Sequence, residues 1–376
     1  MLQRNVAPPA GLAVAVLLSA VTLAACGGSG SSSSSTSTSS GSGKSGTVAL
    51  LLPENKTTRY ESQDKPLFEQ RLKALCPNCK VIYSNAEQDA SKQQTQAEAA
   101  ITNGAKVLVL DSVDSKAAAS IVTRAKQSGV KVIAYDRPVE GAAVDYFISF
   151  DNRRVGQLQA TSLVDKLRKT KPSGQLVMIN GAPTDPNAAQ FKAGALSVLS
   201  SSPFKIAKSY DTPDWSPDQA QTEMDQATSA LGKNGFVGVY AANDGTAGGA
   251  IASMRSNGVD PNSRPTTGQD AELAGVQRIV AGQQYMTVYK AIKPEAGDAA
   301  ALTVSVLNGD KTSSLVNQQT SSGSQSSQKV PSVILTPVAV TQSNIKTTIV
   351  KDGFWTVQQI CTPAYAAACK KIGLMT

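Results

Sequence analysis

From Thr47 onward, short apolar runs alternate with amphipathic stretches, and this alternation limits the fold more than any other feature of the chain. A run of four to eight apolar residues suits a strand buried on both faces, and each amphipathic stretch is long enough to cover it as a helix. The runs are TVALLLP (47–53), KVIYSN (80–85), KVLVLDS (106–112), VKVIAYD (130–136), YFISFD (146–151), QLVMING (175–181), KIAKSYD (205–211), GFVGVYAAND (235–244), TTGQD (266–270) and MTVYK (286–290). Helical patterns such as QDASKQQTQAEAAITNGA and DSKAAASIVTRAKQSG fill the gaps, and glycines suited to a C-terminal cap sit at their ends. Ten strands spread over two sheets predict an α/β protein of two doubly wound parallel-sheet lobes.

Strand after strand ends on a polar residue: Asp111, Asp136, Asp151, Asn180, Asp211, Asn243, Asp270 and Lys290. The carboxyl ends of parallel strands form the ligand crevice of open α/β sheets. Asp and Asn are also favoured as helix N-caps, a role that fits Asp111 and Asp211 best. Capping does not account for charges of both signs at equivalent strand ends, Asp136 beside Arg137 and Asp270 with Lys290.

The chain has 376 residues, and the part beyond residue 46 is more than one hydrophobic core usually covers, so two domains are expected. It contains no histidine, which removes His-based triads, imidazole proton shuttles and His-containing zinc sites. No metal and no cofactor is expected, and enzyme readings start at a disadvantage. The net charge of +8 includes Arg4 of the leader, and no Lys/Arg cluster is interleaved with aromatics as nucleic-acid binding requires.

Residues 1–25 carry one early positive charge and then the run AGLAVAVLLSAVTLAA, too short and too weakly flanked for a permanent membrane helix, and so they read as a secretory signal. The ending Leu23-Ala24-Ala25-Cys26 resembles a bacterial lipobox, which predicts a lipid anchor on Cys26 at the outer face of the cell membrane. The Ser/Gly stretch that follows, through residue 46, has no apolar face and predicts a flexible tether spanning about 25 Å. In an oxidising exterior Cys76 with Cys79, and Cys361 with Cys369, pair most simply as two local disulfides. A CxxC is also a redox motif, but redox sites of the thioredoxin type lie at a strand-to-helix junction, whereas CPNC follows a predicted helix and precedes a strand. The polar segment NQQTSSGSQSSQ (317–328) reads as a surface loop.

A sugar presents hydroxyls that donate and accept, together with a C–H face, so its site needs carboxylates, amides, a cationic donor and an aromatic plate. Asp136, Asp185 and Asp270 supply acceptors, Asn187 and Asn243 supply both functions, and Arg59, Arg137 and Lys290 donate. Trp215 lies in the turn-like segment DTPDWSPD, either as the plate or as a small satellite core, whereas Trp355 suits a core position better. The three aspartates also suit a glycosidase in number, but nothing in their spacing argues for hydrolysis. GTAGGA (245–250) lacks the G-K-[ST] ending that grips phosphate.

Four blocks, AYDRPVEGAAVDYFISFDNRRVGQLQA (134–160), NGAPTDPNAAQFKAG (180–194), AANDGTAGGAI (241–251) and GQDAELAGVQRIVAGQQYMTVYKAI (268–292), resemble the sugar-binding proteins of bacterial ABC transporters. The resemblance covers about the whole folded chain. It implies the type I periplasmic binding protein fold, no enzymatic step, and a monosaccharide, D-xylose or a similar one, held between two lobes. By motif match it places Arg59, Tyr60, Asp136, Arg137, Asp185, Asn187, Trp215, Asn243, Asp270 and Lys290 around that sugar. Tyr60 stands where the family protein carries tryptophan, and Pro186 where it carries an amide residue. Three crossings are implied, near residues 151–153, 290–293 and 335–337, with one lobe formed by 47–151 and 292–335 and the other by 152–291 and 336–376. The implied partner is an ABC permease with its ATP-binding subunit, and the protein itself is expected to be a monomer. A sensor presenting bound sugar to a membrane kinase, and an extracytoplasmic glycosidase, are the competing functions. A cytoplasmic repressor is opposed by the leader and by the lack of an amino-terminal helix-turn-helix.

Overall fold

The structure, a computed structural model, describes residues 45–321 and 329–375. The expected signal sequence and lipid-bearing Cys26, most of the tether and residues 322–328 lie outside them. Its first half repeats one unit: β1 (Thr47–Leu52), α1 (Lys65–Leu75), β2 (Lys80–Asn85), α2 (Ala90–Thr102), β3 (Ala105–Leu110), α3 (Ala118–Gln127), β4 (Lys131–Tyr135) and β5 (Tyr146–Phe150). The period-2 geometry of a strand explains why both faces are covered. In β1, Val48, Leu50 and Leu52 join one core with Phe68 and Leu72 of α1. Ala49 and Leu51 face the other way, toward Ala97 of α2 and Ile121 of α3. Each leucine so buried contributes roughly 1.5–3 kcal/mol relative to exposure.

After β5 the chain enters a second series: α4 (Asn152–Arg168), β6 (Gly174–Asn180), α5 (Pro186–Leu199), β7 (Phe204–Asp211), α6 (Pro217–Leu231), β8 (Gly238–Ala241), α7 (Asp244–Ser256), α8 (Leu273–Val280) and β9 (Thr287–Tyr289). It returns through α9 (Ile292–Asn308), β10 (Gln318–Ser321) and β11 (Lys329–Leu335), then runs on through β12 (Val338–Val340), α10 (Val357–Ile360) and α11 (Ala366–Lys371). Seven strands form one sheet in the order β10-β11-β5-β4-β3-β1-β2, parallel except for the β10–β11 pair. A second sheet has the parallel order β7-β6-β8, and β9 and β12 form a separate antiparallel pair.

These are the parallel sheets expected, with corrections. There are three sheets among the described residues rather than two. Residues 266–270 are not a strand: only Thr266 bridges to Val239. Gln318–Ser321, expected in a loop, is a strand because β11 offers it an edge to pair with. Neither Asp111 nor Asp211 caps a helix. Asp114 closes the turn before α3, accepting from the Lys116 and Ala117 amides at 2.8 and 2.9 Å, while Asp211 pairs with Lys192 at 2.8 Å. Asp111 is fully buried beside Arg137.

Helices α4 and α5 meet backbone to backbone. A Cβ on Gly194 of α5 would lie 2.0 Å from the Arg153 carbonyl oxygen of α4, so only glycine allows this approach. The carboxyl-terminal segment packs Ile345, Ile349, Phe354 and Trp355 into the same core as Val48 and Leu50. The Trp355 indole donates to the Ala271 carbonyl at 2.8 Å. Disulfides join Cys76 to Cys79 and Cys361 to Cys369, the first between the end of α1 and the start of β2.

Candidate functional site

One cavity between the carboxyl ends of the strands gathers all ten residues singled out above, Arg59, Tyr60, Asp136, Arg137, Asp185, Asn187, Trp215, Asn243, Asp270 and Lys290, together with Thr57, Phe191 and Gln269. Its volume is about 20 Å³. Pockets for drug-sized ligands measure about 300–1,000 Å³, so the walls here stand closed and must part to admit a ligand larger than water.

The wall contributed by the first series is built from charge on charge. The Arg59 guanidinium donates from Nε and Nη2 to Asp64 at 2.9 and 2.6 Å, and from Nη2 to Glu295 at 2.7 Å. That fork leaves Nη1 without a hydrogen-bond partner inside the protein, 3.6 Å from both Asp136 and Asp270. Arg137 donates from Nη1 to the Ser112 carbonyl at 3.1 Å and from Nη2 to the Tyr60 hydroxyl at 3.1 Å, while its Nε lies 3.0 Å from Asp185. The Tyr60 hydroxyl donates in turn to Asp136 at 3.3 Å. Lys290, which follows β9 of the second series, reaches this wall and lies 3.3 Å from Asp136 and 3.4 Å from Asp270 of its own series, with the Phe150 ring 5.4 Å away.

Burial pushes the Asp136 carboxyl upward, but Lys290, Arg59 and Arg137 outweigh it and hold that group well below the usual carboxylate range. Burial lowers the Lys290 ammonium, yet Asp136 and Asp270 carry it above its ordinary value. Asp185 is raised by burial, with Arg137 opposing. Asp111 is also raised, by burial above all.

The wall contributed by the second series is built locally. Asp185 caps α5, accepting from the Asn187 amide at 2.8 Å, and its other oxygen accepts from the Trp215 indole at 3.2 Å. Asn187 donates to the Asp136 carbonyl at 3.0 Å, across to the first wall. Asn243 caps α7 in a reciprocal box with Thr246. The Trp215 ring meets Phe191 edge-on at 6.3 Å and lies over Gly181, where a Cβ would come within 1.9 Å of it. Trp215 thus lines the cavity and also packs in a core with Phe191.

Backbone strain concentrates here. Asp136, Asp214, Trp215, Asp270 and Ala271 all have positive φ, of 55°, 56°, 53°, 87° and 50°. Each such residue costs about 1–3 kcal/mol and persists where surrounding contacts over-determine it. At Asp136 those contacts are its amide to the Ile148 carbonyl and its own carbonyl to Ser149 and Asn187.

Gln269 and Phe191 were not singled out from the sequence. Gln269 donates to Asp270 at 3.1 Å and leaves its own oxygen unpartnered in the protein. Phe191 stands four residues after Asn187 on α5, hence on the same helix face, and that spacing was the available signal. A second acidic group lies behind the cavity. Glu272 accepts from the Thr58 amide at 3.1 Å, and its own amide donates to Asp244 at 2.9 Å. Burial pushes Asp244 up to about 7 and Glu272, with Asp244 and Asp270 adding to the effect, up to about 8.

With the walls parted, these donors, acceptors and the indole can hold a polyhydroxylated ring. Among the described residues no group of three or more His, Cys, Asp or Glu side chains could hold a metal ion, and no helix is long and apolar enough to cross a membrane. The profile of the periplasmic binding protein domain matches residues 48–311. A D-xylose-binding periplasmic protein of Escherichia coli (strain K12) is 36% identical over 317 residues, covering 83% of this chain and 91% of that protein. The multiple sugar-binding periplasmic receptor ChvE of Rhizobium radiobacter is 32% identical over 335 residues, covering 84% and 92%. An ABC transporter solute-binding protein from Clostridium phytofermentans, solved with bound β-D-glucose, superposes with a TM-score of 0.74 at 28% identity, covering 84% of this chain and 99% of that one.

Proposed function

The chain belongs to the periplasmic binding protein family, as a non-enzymatic sugar receptor of the ABC transporter type, and from that premise we propose that it delivers D-xylose or a similar monosaccharide to an ABC permease and its ATP-binding subunit. Lobe closure, with no covalent step, is the mechanism. The lobes are 47–151 with 292–335 and 152–291 with 336–376, and the hinges lie near residues 151–153, 290–293 and 335–337. Lipid on Cys26 holds the receptor, a monomer, at the outer face of the membrane.

One observation carries the reading: side chains from two separate series of strands converge on one small cavity, with Arg59 Nη1 and the Gln269 oxygen lacking partners in the protein. A hydroxyl both accepts and donates, so a sugar can satisfy both. Asp136, Asp270 and Lys290 supply charge-assisted hydrogen bonds, and Trp215 supplies the face for the ring carbons.

Calorimetric titration with a panel of pentoses and hexoses tests the function. Saturable binding of D-xylose, tighter than that of hexoses, supports it, and heat from none of the panel sinks it. For the anchor, Cys26→Ser should release the protein or block its processing. Retention of that variant on the membrane through a high-salt wash would remove the lipid assignment.

A further inference from the structure

Between β1 and the helical segment Tyr60–Asp64, a short loop delivers Arg59 and Tyr60 to the cavity, and its amides are held from both series. Glu54, within the loop, accepts from the Lys56 and Thr57 amides at 2.5 and 3.0 Å. The next amide, that of Thr58, donates instead to the Glu272 carboxyl at 3.1 Å, a residue 214 positions away in the second series. Lys56 also lies 4.0 Å from Asp214 of that series, but both are exposed, so this pair contributes little.

Glu272 stands immediately before α8, where a side chain ordinarily accepts from the amides of its own helix, yet it makes no such bond. Its own amide is taken by Asp244 at 2.9 Å. The segment Tyr60–Asp64 in turn has no side-chain cap from its own neighbour Arg59. Glu272 therefore leaves its own helix and serves the start of a helical segment in the other series. It is only 6% exposed, and it does not line the cavity, although Gln269 and Asp270 just before it do.

We propose that Glu272 is a latch: its bond to the Thr58 amide forms as the walls come together, holds the loop that carries Arg59 against the second series, and so strengthens sugar binding without touching the sugar. The latch rests on the closure reading above. A bond made only in the closed arrangement raises the population of that arrangement, and apparent affinity rises with it. Closure also buries the carboxyl. Asp244 of α7 and Asp270 push its proton affinity up, Arg278 of α8 and the Thr58 amide oppose them, and burial is the largest influence, so the closed protein keeps the proton up to about 8. The protonated acid still has a carbonyl oxygen to accept from Thr58. Parting the walls returns the group to water and lowers it, so closure takes up a proton, and sugar affinity, full at low pH, declines as the pH rises toward 8. Asp244 does not share this behaviour, because Gln284, Thr287 and the Glu272 amide that bond it all belong to the second series and move with it.

Two variants test the latch. Glu272→Ser is too short to reach Thr58 but is a good cap for α8, whereas Glu272→Gln keeps an acceptor and cannot ionise. At pH 6, D-xylose titration by calorimetry should show affinity about threefold to tenfold weaker in Glu272→Ser, with no loss of melting temperature in the sugar-free protein, and native affinity in Glu272→Gln. Between pH 6 and pH 8 the native protein should weaken at least about threefold relative to Glu272→Gln. Native affinity in Glu272→Ser, or an equal loss in both variants, overturns the latch. A native pH profile parallel to that of Glu272→Gln overturns the proton coupling. If no sugar binds, the sugar reading fails, and the latch is decided on the sugar-free protein: hydrogen exchange at the Thr58 amide, read by NMR, should be slower in the native and Glu272→Gln proteins than in Glu272→Ser. Equal exchange in all three overturns it.

Discussion

The two walls of the cavity hold similar residues by different means. Asp185 and Asn243 on the second wall are fixed by bonds to amides within three residues of themselves. On the first wall Arg59 is fixed in part by Glu295, and Asp136 by Lys290, both distant in the chain. A helix cap orients its side chain through local backbone geometry, so the second wall is preorganised within its own elements. A buried ion pair holds only while all partners are in place, and loss of one strands the others. The first wall should therefore be the less tolerant of substitution.

The largest effect is expected for Arg59→Met. It leaves Asp64 and Glu295 without their buried counter-charge, which should destabilise the protein by roughly 3–5 kcal/mol and abolish measurable sugar binding. Thermal denaturation checks this, and a fall of only a degree or two would mean that the first wall does not depend on the pair. Trp215→Ala comes next. Sugar affinity should drop about tenfold to a hundredfold, since a stacked, buried aromatic contributes on the order of 1–3 kcal/mol. Calorimetry returning native affinity would leave the indole with its core role alone.

Third is a pH effect that sets the acidic pair behind the cavity against its charged wall. Asp244 and Glu272 keep their protons in the folded protein up to about 7 and about 8, well above the unfolded range near 4. The unfolded chain binds fewer protons across that interval, so this part of the stability is fully present below the unfolded range and is lost as the pH rises through 7 and 8. Stability should decline between about pH 5 and pH 8, by up to roughly 1.4 kcal/mol per pH unit for each group, and the melting temperature should fall with it. Glu272→Gln keeps an oxygen for the Thr58 amide and cannot ionise, so it should flatten the decline. An equal slope in the variant would show that Glu272 does not titrate in this range.

The smallest expected change separates the two duties of Asn243. Asn243→Ala should cost about 1 kcal/mol of stability through the lost cap, and Asn243→Ser should recover most of that. Both should still lower sugar affinity. If Asn243→Ser restored binding as well as stability, the amide would be a cap and no more.

Much of this architecture was legible because its causes are local. Period-2 burial in β1 and amphipathic coverage by α2 and α3 arise from neighbours along the chain, and the polar strand ends pointed to the cavity. The errors also have local origins. Asp111 looked like a cap because composition alone does not distinguish a strand end that faces a helix start from one that faces a buried guanidinium. Gln318–Ser321 looked like loop because its strand character comes from the free edge of β11, which no feature of the segment itself announces.

By itself the sequence determined the alternating α/β plan and the chemical set of carboxylates, amides, cations and an indole at the strand ends. Those follow from backbone periodicity and from what each side chain is able to donate or accept. Only the tertiary structure decided that Arg59 spends two of its nitrogens on Asp64 and Glu295 and turns the third toward Asp136 and Asp270, or that Asp136 and Asp270 adopt positive φ. Orientation and strain of this kind are set by partners far away in the chain, whose burial together makes each charge affordable only in the presence of the others.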